Sequence, residues 1–116
     1  MDGPDNDILK KKRKAQNISE DIKISELMEL PEFRYWPRVR NRLAKRVYMM
    51  LKLAKEDDDM GVTTLLDFRN YIQEYGWKKK HYSPYTRFPN FGEKSIEYFN
   101  NTLKKYGVEP LGPLSK

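Results

Sequence analysis

The fold is decided at residues 87–99, where the chain reads RFPNFGEKSIEYF. A turn held by proline ends at Gly92 and leads directly into an amphipathic segment that begins near Glu93–Lys94. From Ile96 to Tyr106 the apolar residues recur at steps of three and four, which predicts a helix with one buried stripe. Gly107 follows at the position where a helix commonly ends.

The start of this helix has the features of a phosphate-binding site. Its first backbone N–H groups have no partner within the helix, and the helix dipole favours an anion there. Lys94 adds a cation and Ser95 a hydroxyl, while Asn90 and Gly92 belong to the turn. The chain has a formal charge of +6 and a pI near 9.4, so the phosphate of a nucleic acid is the natural ligand.

Two further helices are predicted upstream of this turn. The first runs from about Pro37 to Lys55 and has one apolar stripe. That stripe consists of Val39, Leu43, Val47, Met50, Leu51 and Ala54. The second helix begins at Thr64, which is expected to form a capping box with Asp67, and Gly76 ends it.

Candidate ligand-binding residues lie off the stripe of the Pro37–Lys55 helix. Arg38, Asn41, Arg42 and Lys45 have the spacing of one exposed face. The aromatic residues just before this helix, Phe33, Tyr35 and Trp36, are expected to pack on the domain.

A loop at residues 77–88 interleaves basic and aromatic residues. Lys78, Lys79 and Lys80 are further candidate contacts to nucleic acid. The aromatic residues either stack on bases or pack inward beneath solvated lysines, and the sequence leaves both readings open. The run KKKRK at residues 10–14 leaves a similar choice between a solvated tail and an arm that touches nucleic acid.

The fold class follows from these patterns. No strand pattern is present, so we predict an all-α protein, a compact bundle of three to five short helices. Residues 1–20 are expected to form a disordered, charged, basic N-terminal arm, because they hold little apolar content. Residues 21–112 would form the helical domain, and residues 113–116 a short tail.

Composition excludes several classes of function. Without cysteine, and with His81 as its single histidine, the chain offers no thiolate zinc site and no catalytic triad. The acidic residues 56–59 lack the ligand spacing of an EF-hand. We therefore predict no catalytic residue, metal, cofactor or small-molecule substrate, and hence not an enzyme. No apolar run approaches the ~20 residues of a membrane span, so a cytoplasmic location without a membrane partner is expected.

The segment PNFGEKSI at residues 89–96 resembles the P-N-L-G-x-K-S-L hairpin of the C-terminal domain of the bacterial RNA polymerase alpha subunit. RVRNRL at residues 38–43 is similar to the R-x-x-N-x-L motif that opens the first DNA-facing helix of that family. GVTTLLD at residues 61–67 looks like its turn and next helix, and KYGV at residues 105–108 like the end of its last helix. The resemblance covers residues 24–112 and implies a helix–hairpin–helix.

The resemblance also implies a function, which is minor-groove contact with A·T-rich duplex DNA and docking to transcription factors. Arg38 would take the place of the groove-inserting arginine and Asn41 that of its partner asparagine. Gly92 would let the backbone approach a phosphate, and Lys94 and Ser95 would contact the DNA backbone. We therefore expect a free-standing DNA-binding transcription regulator, with a phage-encoded factor acting in the cytoplasm of its bacterial host as one source.

Two other functions stay open at this point. A protein-interaction adaptor would keep the fold but bind RNA polymerase, a sigma factor or another transcription factor without DNA. An RNA-binding module would use the loop at residues 77–85. Co-purification with polymerase from nuclease-treated extract tests the first, and competition between single-stranded RNA and duplex DNA tests the second.

Overall fold

Helices are the only regular elements in the two ranges that the computed structural model describes, residues 17–78 and 86–114. The predicted all-α class is therefore confirmed for these ranges. They contain six helices, of which the first three are single turns. The helices are α1 (Ile24–Leu27), α2 (Pro31–Arg34), α3 (Trp36–Val39), α4 (Arg42–Glu56), α5 (Leu65–Tyr75) and α6 (Glu93–Lys105).

The capping box predicted at the start of α5 is confirmed. The Asp67 backbone N–H donates to the Thr64 hydroxyl over 3.1 Å. In return, the Asp67 carboxylate accepts the N–H groups of Thr64 at 3.1 Å and Thr63 at 3.0 Å. These backbone hydrogen bonds, the one from Thr64 first, hold the pKa of Asp67 below its usual value. At the other end, Gly76 ends the helix with a φ of 74°.

The α6 helix begins where the sequence predicts, at Glu93. Its apolar stripe is buried as predicted, and Phe99 and Leu103 are fully inaccessible. The end of the helix closes through Gly107, whose φ is 82°. The Gly107 N–H donates to the Lys104 carbonyl and the Val108 N–H to the Leu103 carbonyl, the paired bonds of a Schellman motif.

The single helix predicted from Pro37 to Lys55 is wrong at its start. Arg40 adopts a left-handed conformation, with a φ of 53°, and separates α3 from α4. Asn41 then caps α4, because its side-chain oxygen accepts the Ala44 N–H over 3.1 Å. Asparagine is among the strongest N-cap residues, and here this preference overrides continuation of the helix. Val39 consequently leaves the predicted apolar stripe and is 65% exposed.

The core is rich in aromatic side chains packed between α4, α5 and α6. Phe68 of α5 lies against three other rings at centroid distances between 5.9 and 6.4 Å, those of Trp77, Phe88 and Phe99. Trp77 is fully buried and donates its indole N–H to the Gly112 carbonyl over 3.0 Å. Of the two readings of the loop aromatics, Trp77 therefore follows the inward-packing one. Residues 79–85, which include Lys79 and Lys80, lie outside the described residues.

Arg69 of α5 joins the two ends of the described chain. Its guanidinium is almost completely buried, contacts the Glu20 carboxylate at 3.0 Å and donates to the Glu109 carbonyl at 2.8 Å. Nearby, the Ile18 N–H donates to the Tyr106 carbonyl over 2.9 Å. Residues 17–20, which the sequence assigned to the arm, therefore belong to the folded part, while residues 1–16 lie outside the described residues.

In the part of the chain that the structure describes, no helix combines the length and the apolar character needed to cross a bilayer. The helix–hairpin–helix stays a prediction, because part of the connection between α5 and α6 falls in residues 79–85.

Candidate nucleic-acid interface

Three basic side chains line a groove between α3 and α4, which we call the basic groove. The groove has a volume of about 270 Å³, and its lining includes Arg40, Arg42 and Lys45 together with the ring of Trp36. The Lys45 ammonium lies 5.1 Å from the centre of that ring. Arg38 lies in the exposed α3 turn, outside the lining of the groove, and its guanidinium is 5.8 Å from the ring centre of Tyr35. The basic groove thus combines exposed cations with aromatic rings, a composition typical of nucleic-acid interfaces.

The aromatic residues of this surface were assigned incorrectly from the sequence. Only Phe33 is in the core as expected, where it is fully buried. Tyr35 is 42% exposed and Trp36 is half-buried, because the single turn of α3 has no buried residue and holds both rings at the surface. Arg40 was also missed, because the apolar spacing from Val39 to Leu43 favoured a continuous helix over the N-cap signal of Asn41.

The charges at the start of α4 are unfavourable for the helix itself. Its first turn has no acidic residue, although the helix dipole favours anions there. Arg42 and Arg46 stand one turn apart on the same exposed face, and like charges at this spacing destabilise a helix by about 0.2–0.5 kcal/mol. Within residues 17–78 and 86–114, no carboxylate forms a salt bridge with either of them or with Lys45.

Asn41 has a structural task at the edge of the basic groove. Its side-chain oxygen caps α4, and its amide nitrogen donates to the Tyr98 hydroxyl of α6 over a long 3.4 Å. The Tyr98 hydroxyl donates in turn to the Glu32 carbonyl over 3.0 Å. Asn41 therefore fixes the start of α4 against α6 and α2, and it acts on the basic groove by positioning its walls.

Glu32 joins α2 to the C-terminal end of α6. Its carboxylate accepts from the Lys105 ammonium and from the Tyr106 hydroxyl, each over 2.6 Å. Burial alone raises the pKa of Glu32, but the hydrogen bonds from Lys105 and Tyr106 outweigh it, and the net pKa lies below its usual value. Burial and the Glu32 carboxylate in turn raise the pKa of Tyr106. Glu32 is therefore ionised at neutral pH and holds α2 against the end of α6.

The turn before α6 forms a second groove, of about 500 Å³, with Arg46 on its other side. Within the turn, Asn90 has the left-handed conformation, with a φ of 57°. Gly92 has a φ of −112°, which any residue adopts, and a Cβ added to it would meet no atom within 4 Å. The conformation of the turn therefore does not itself require glycine at position 92. Sequence reasoning missed Arg46, which links this groove to Arg42 along one face of α4.

Lys94 and Ser95 do not join the basic groove. Lys94 is exposed on a third groove of about 490 Å³, which it lines with Glu97, Lys104 and the C-terminal segment. That groove shares no lining residue with the basic groove or with the turn groove. Ser95 is only 1% exposed, and its hydroxyl has no hydrogen-bond partner among the described residues. Ser95 therefore cannot contact the DNA backbone in this fold as predicted, because its hydroxyl is inaccessible.

Lys78 is the last described residue before residues 79–85, and its backbone forms a hydrogen bond within the fold. Its carbonyl accepts from the Arg87 guanidinium over 3.1 Å. The same guanidinium donates to the Gly76 carbonyl at 3.3 Å and stacks over Tyr71 at 5.1 Å. Arg87 therefore satisfies carbonyls at the end of α5, and this contact fixes the backbone from which the Lys78 side chain extends.

No group of acidic, cysteine or histidine side chains in residues 17–78 and 86–114 is arranged to hold a metal ion. Comparisons of the chain with protein-family models, with curated proteins and with solved structures found no match.

Proposed function

We propose that the protein is a DNA-binding transcription regulator and not an enzyme, acting in the cytoplasm of a bacterium or of a phage-infected host. Its contact surface would be the basic groove, with A·T-rich duplex DNA as the preferred ligand. The observation that carries this proposal is the set of exposed cations at the start of α4, which the helix dipole disfavours and no described carboxylate offsets. A polyanion would relieve this repulsion and release counterions on binding.

The backbone at Arg40 supports the same reading. A left-handed conformation costs a residue other than glycine about 1–2 kcal/mol. At Arg40 this conformation places a long cationic side chain in the lining of the basic groove. A glycine would relieve the strain but would remove the cation, so the arginine is consistent with a role in binding.

Two kinds of contact are expected at this surface. Arg38, on the exposed α3 turn, suits the narrow and electronegative minor groove of A·T-rich DNA. Arg42, Lys45 and Arg46 suit the flanking phosphates, which position the protein without reading sequence. The sequence resemblance to the alpha-subunit domain agrees with this division, since it assigns the groove-inserting role to Arg38.

The turn before α6 would supply a further backbone contact. Since a Cβ at Gly92 would project into open space, only a ligand that approaches the backbone closely would be affected by Gly92→Ala. Gly92 is the N-cap of α6, where alanine is slightly less favourable, so a small loss of stability is expected in that variant. A large loss of DNA affinity at unchanged fold would identify close approach, and wild-type affinity would remove Gly92 from the interface.

The proposal is tested by titrating A·T-rich and G·C-rich duplexes with the wild type, Arg38→Ala, Arg42→Ala and Lys55→Ala at several salt concentrations. Lys55→Ala is the matched control, because Lys55 is exposed on α4 away from the basic groove. Arg38→Ala should lose the preference for A·T-rich DNA. Arg42→Ala should weaken binding to both duplexes and reduce the slope of log K against log[salt] by about 0.9. Equal affinities in all four proteins would refute the assignment of the basic groove.

A protein-interaction adaptor is the second candidate, and the exposed apolar surface of α3 favours it. Val39 is 65% exposed beside Tyr35, which is 42% exposed. A partner such as RNA polymerase, a sigma factor or another transcription factor would cover these side chains. Retention of polymerase by the wild type but not by Val39→Asp, in nuclease-treated extract, would support the adaptor. Absence of polymerase from both samples would count against it.

A further inference from the structure

A second interaction surface runs along the exposed face of α4. We propose that this face pairs antiparallel with the same face of a second copy of the chain. The stripe that would form the contact consists of Arg42, Arg46, Met49, Leu53 and Glu56. All five side chains are exposed, and their spacing of four, three, four and three residues is that of a helix–helix seam. The inference goes beyond the proposed function and does not depend on it.

The centre of the stripe is apolar although it faces solvent. Met49 is 41% exposed and Leu53 is 42% exposed, and they lie one turn apart on α4. Neither belongs to the buried face of the helix, which is formed by Ala44, Val47, Met50, Leu51 and Ala54. Covering this pair with the equivalent pair of a second chain would remove both from water.

The order of charges along the stripe selects a second copy and its direction. Along the stripe, Arg42 and Arg46 occupy the first half and Glu56 the end, where Asp57 follows the helix, while Lys52 and Lys55 lie off the stripe. In an antiparallel pair, Arg46 faces the partner's Glu56, and Met49 faces the partner's Leu53. A parallel pair in the same register would instead set Arg46 against Arg46 and Glu56 against Glu56. The arrangement is isologous, because every contact occurs twice about one twofold axis.

The surface next to the acidic end of α4 fits this partner. A groove of about 520 Å³ lies there, lined by Leu53, Glu56, Asp57 and Met60 of the α4 end and by the segment Arg87, Phe88 and Pro89. The Arg87 guanidinium is engaged with the Gly76 and Lys78 carbonyls. In the register above, the partner's Arg42 lies over this groove, one turn beyond the partner's Arg46. Its apolar floor and two carboxylates suit the stem and the head of an arginine side chain.

The pairing leaves part of the basic groove free. Arg38 and Arg40 precede α4 and lie beyond the end of the paired stripe, whereas Arg42 belongs both to the stripe and to the lining of the basic groove. Two α4 faces form a small contact, which is below the area of a stable obligate dimer, so a weak and salt-sensitive dimer is expected.

The test is sedimentation velocity of the full chain without DNA, from about 10 μM to about 1 mM protein at low and high salt. The variants are Arg46→Glu, Glu56→Arg and their equimolar mixture, with Lys55→Glu as the charge-matched control on another side of α4. Each single reversal sets like charges against each other and should raise the dissociation constant of the dimer at least about tenfold. The mixture should restore dimers, because the carboxylate introduced in one variant would then face the guanidinium introduced in the other.

A second pair of variants tests the apolar centre independently. Met49→Gln with Leu53→Gln should weaken the dimer while the exposed positions leave the fold intact, as judged by circular dichroism. A monomeric wild type throughout the concentration range at low salt would overturn the proposal. Dimerisation of both single reversals at wild-type strength, or failure of their mixture to associate, would equally overturn the antiparallel register.

Discussion

Replacing Arg40 by glycine should raise the free energy of unfolding of the protein and, at the same time, weaken its binding to DNA. The φ of 53° at this position costs an arginine about 1–2 kcal/mol and a glycine nothing. The greater freedom of glycine in the unfolded chain offsets about 0.5–1 kcal/mol of that gain. The middle of the two ranges leaves a net stabilisation of about 0.75 kcal/mol, which corresponds to a rise in melting temperature of about 3–6 °C for a domain of this size.

The matched variant is Arg40→Ala, which removes the same charge but keeps the strained backbone. Both variants relieve the repulsion among the cations of the basic groove equally, so the difference between their melting temperatures isolates the backbone. Both should bind DNA more weakly than the wild type and to the same degree. If Arg40 contacts a phosphate, the salt dependence of log K should fall by about 0.9 in each.

Thermal unfolding followed by circular dichroism and duplex titration at several salt concentrations provide the two readouts. If Arg40→Gly melts no higher than Arg40→Ala, the left-handed break between α3 and α4 is absent in solution. If both variants bind DNA as the wild type does, Arg40 has no part in the interface. The two outcomes are independent, so the experiment separates the local fold from the proposed function.

The remaining predictions concern stability. Gly107→Ala should lower the free energy of unfolding by about 1–2 kcal/mol in a denaturant titration, because position 107 has a φ of 82° and its Cβ would come within 2.6 Å of the Asn17 side chain. An undiminished midpoint would contradict the Schellman ending of α6. The lowered pKa of Asp67 means that its carboxylate adds stability above its ordinary value of 3.8 and loses it as the pH falls through the lowered value. Melting temperatures measured across that acidic range should therefore fall less steeply for Asp67→Asn, and parallel profiles would contradict this role.

The helices that could be predicted are those whose signals are local. The reciprocal bonds of Thr64 and Asp67, and the apolar steps from Ile96 to Tyr106, involve residues within one or a few turns of each other. Such patterns determine where a helix starts, which side it buries and where it ends. The beginning of α4 was not predictable in the same way, because Arg40 adopts a conformation that its residue type disfavours.

The candidate site was predicted less well, because it depends on contacts between distant segments. Nothing near Asn41 in the sequence indicates that its amide meets Tyr98 of α6. The burial of Ser95 and the exposure of Tyr35 likewise depend on how the helices pack. The motif spacing identified Arg38, Arg42 and Lys45 as cations of one region, but only the packing shows that Lys94 lies on a different groove.

The contact of Arg69 with both Glu20 and Glu109 has a consequence for local unfolding. Release of either end of the described chain deprives the buried guanidinium of a partner, so segments 17–20 and 107–112 belong to one cooperative unit. The two ends of the described chain are thereby coupled to the core, although terminal segments fray first in many domains. The α3 turn has no buried residue and no comparable anchor, so we expect it to open at a lower free energy than α4, α5 or α6. The side chains of Arg38 and Tyr35 can therefore adjust to a ligand while the helices beneath them keep their positions.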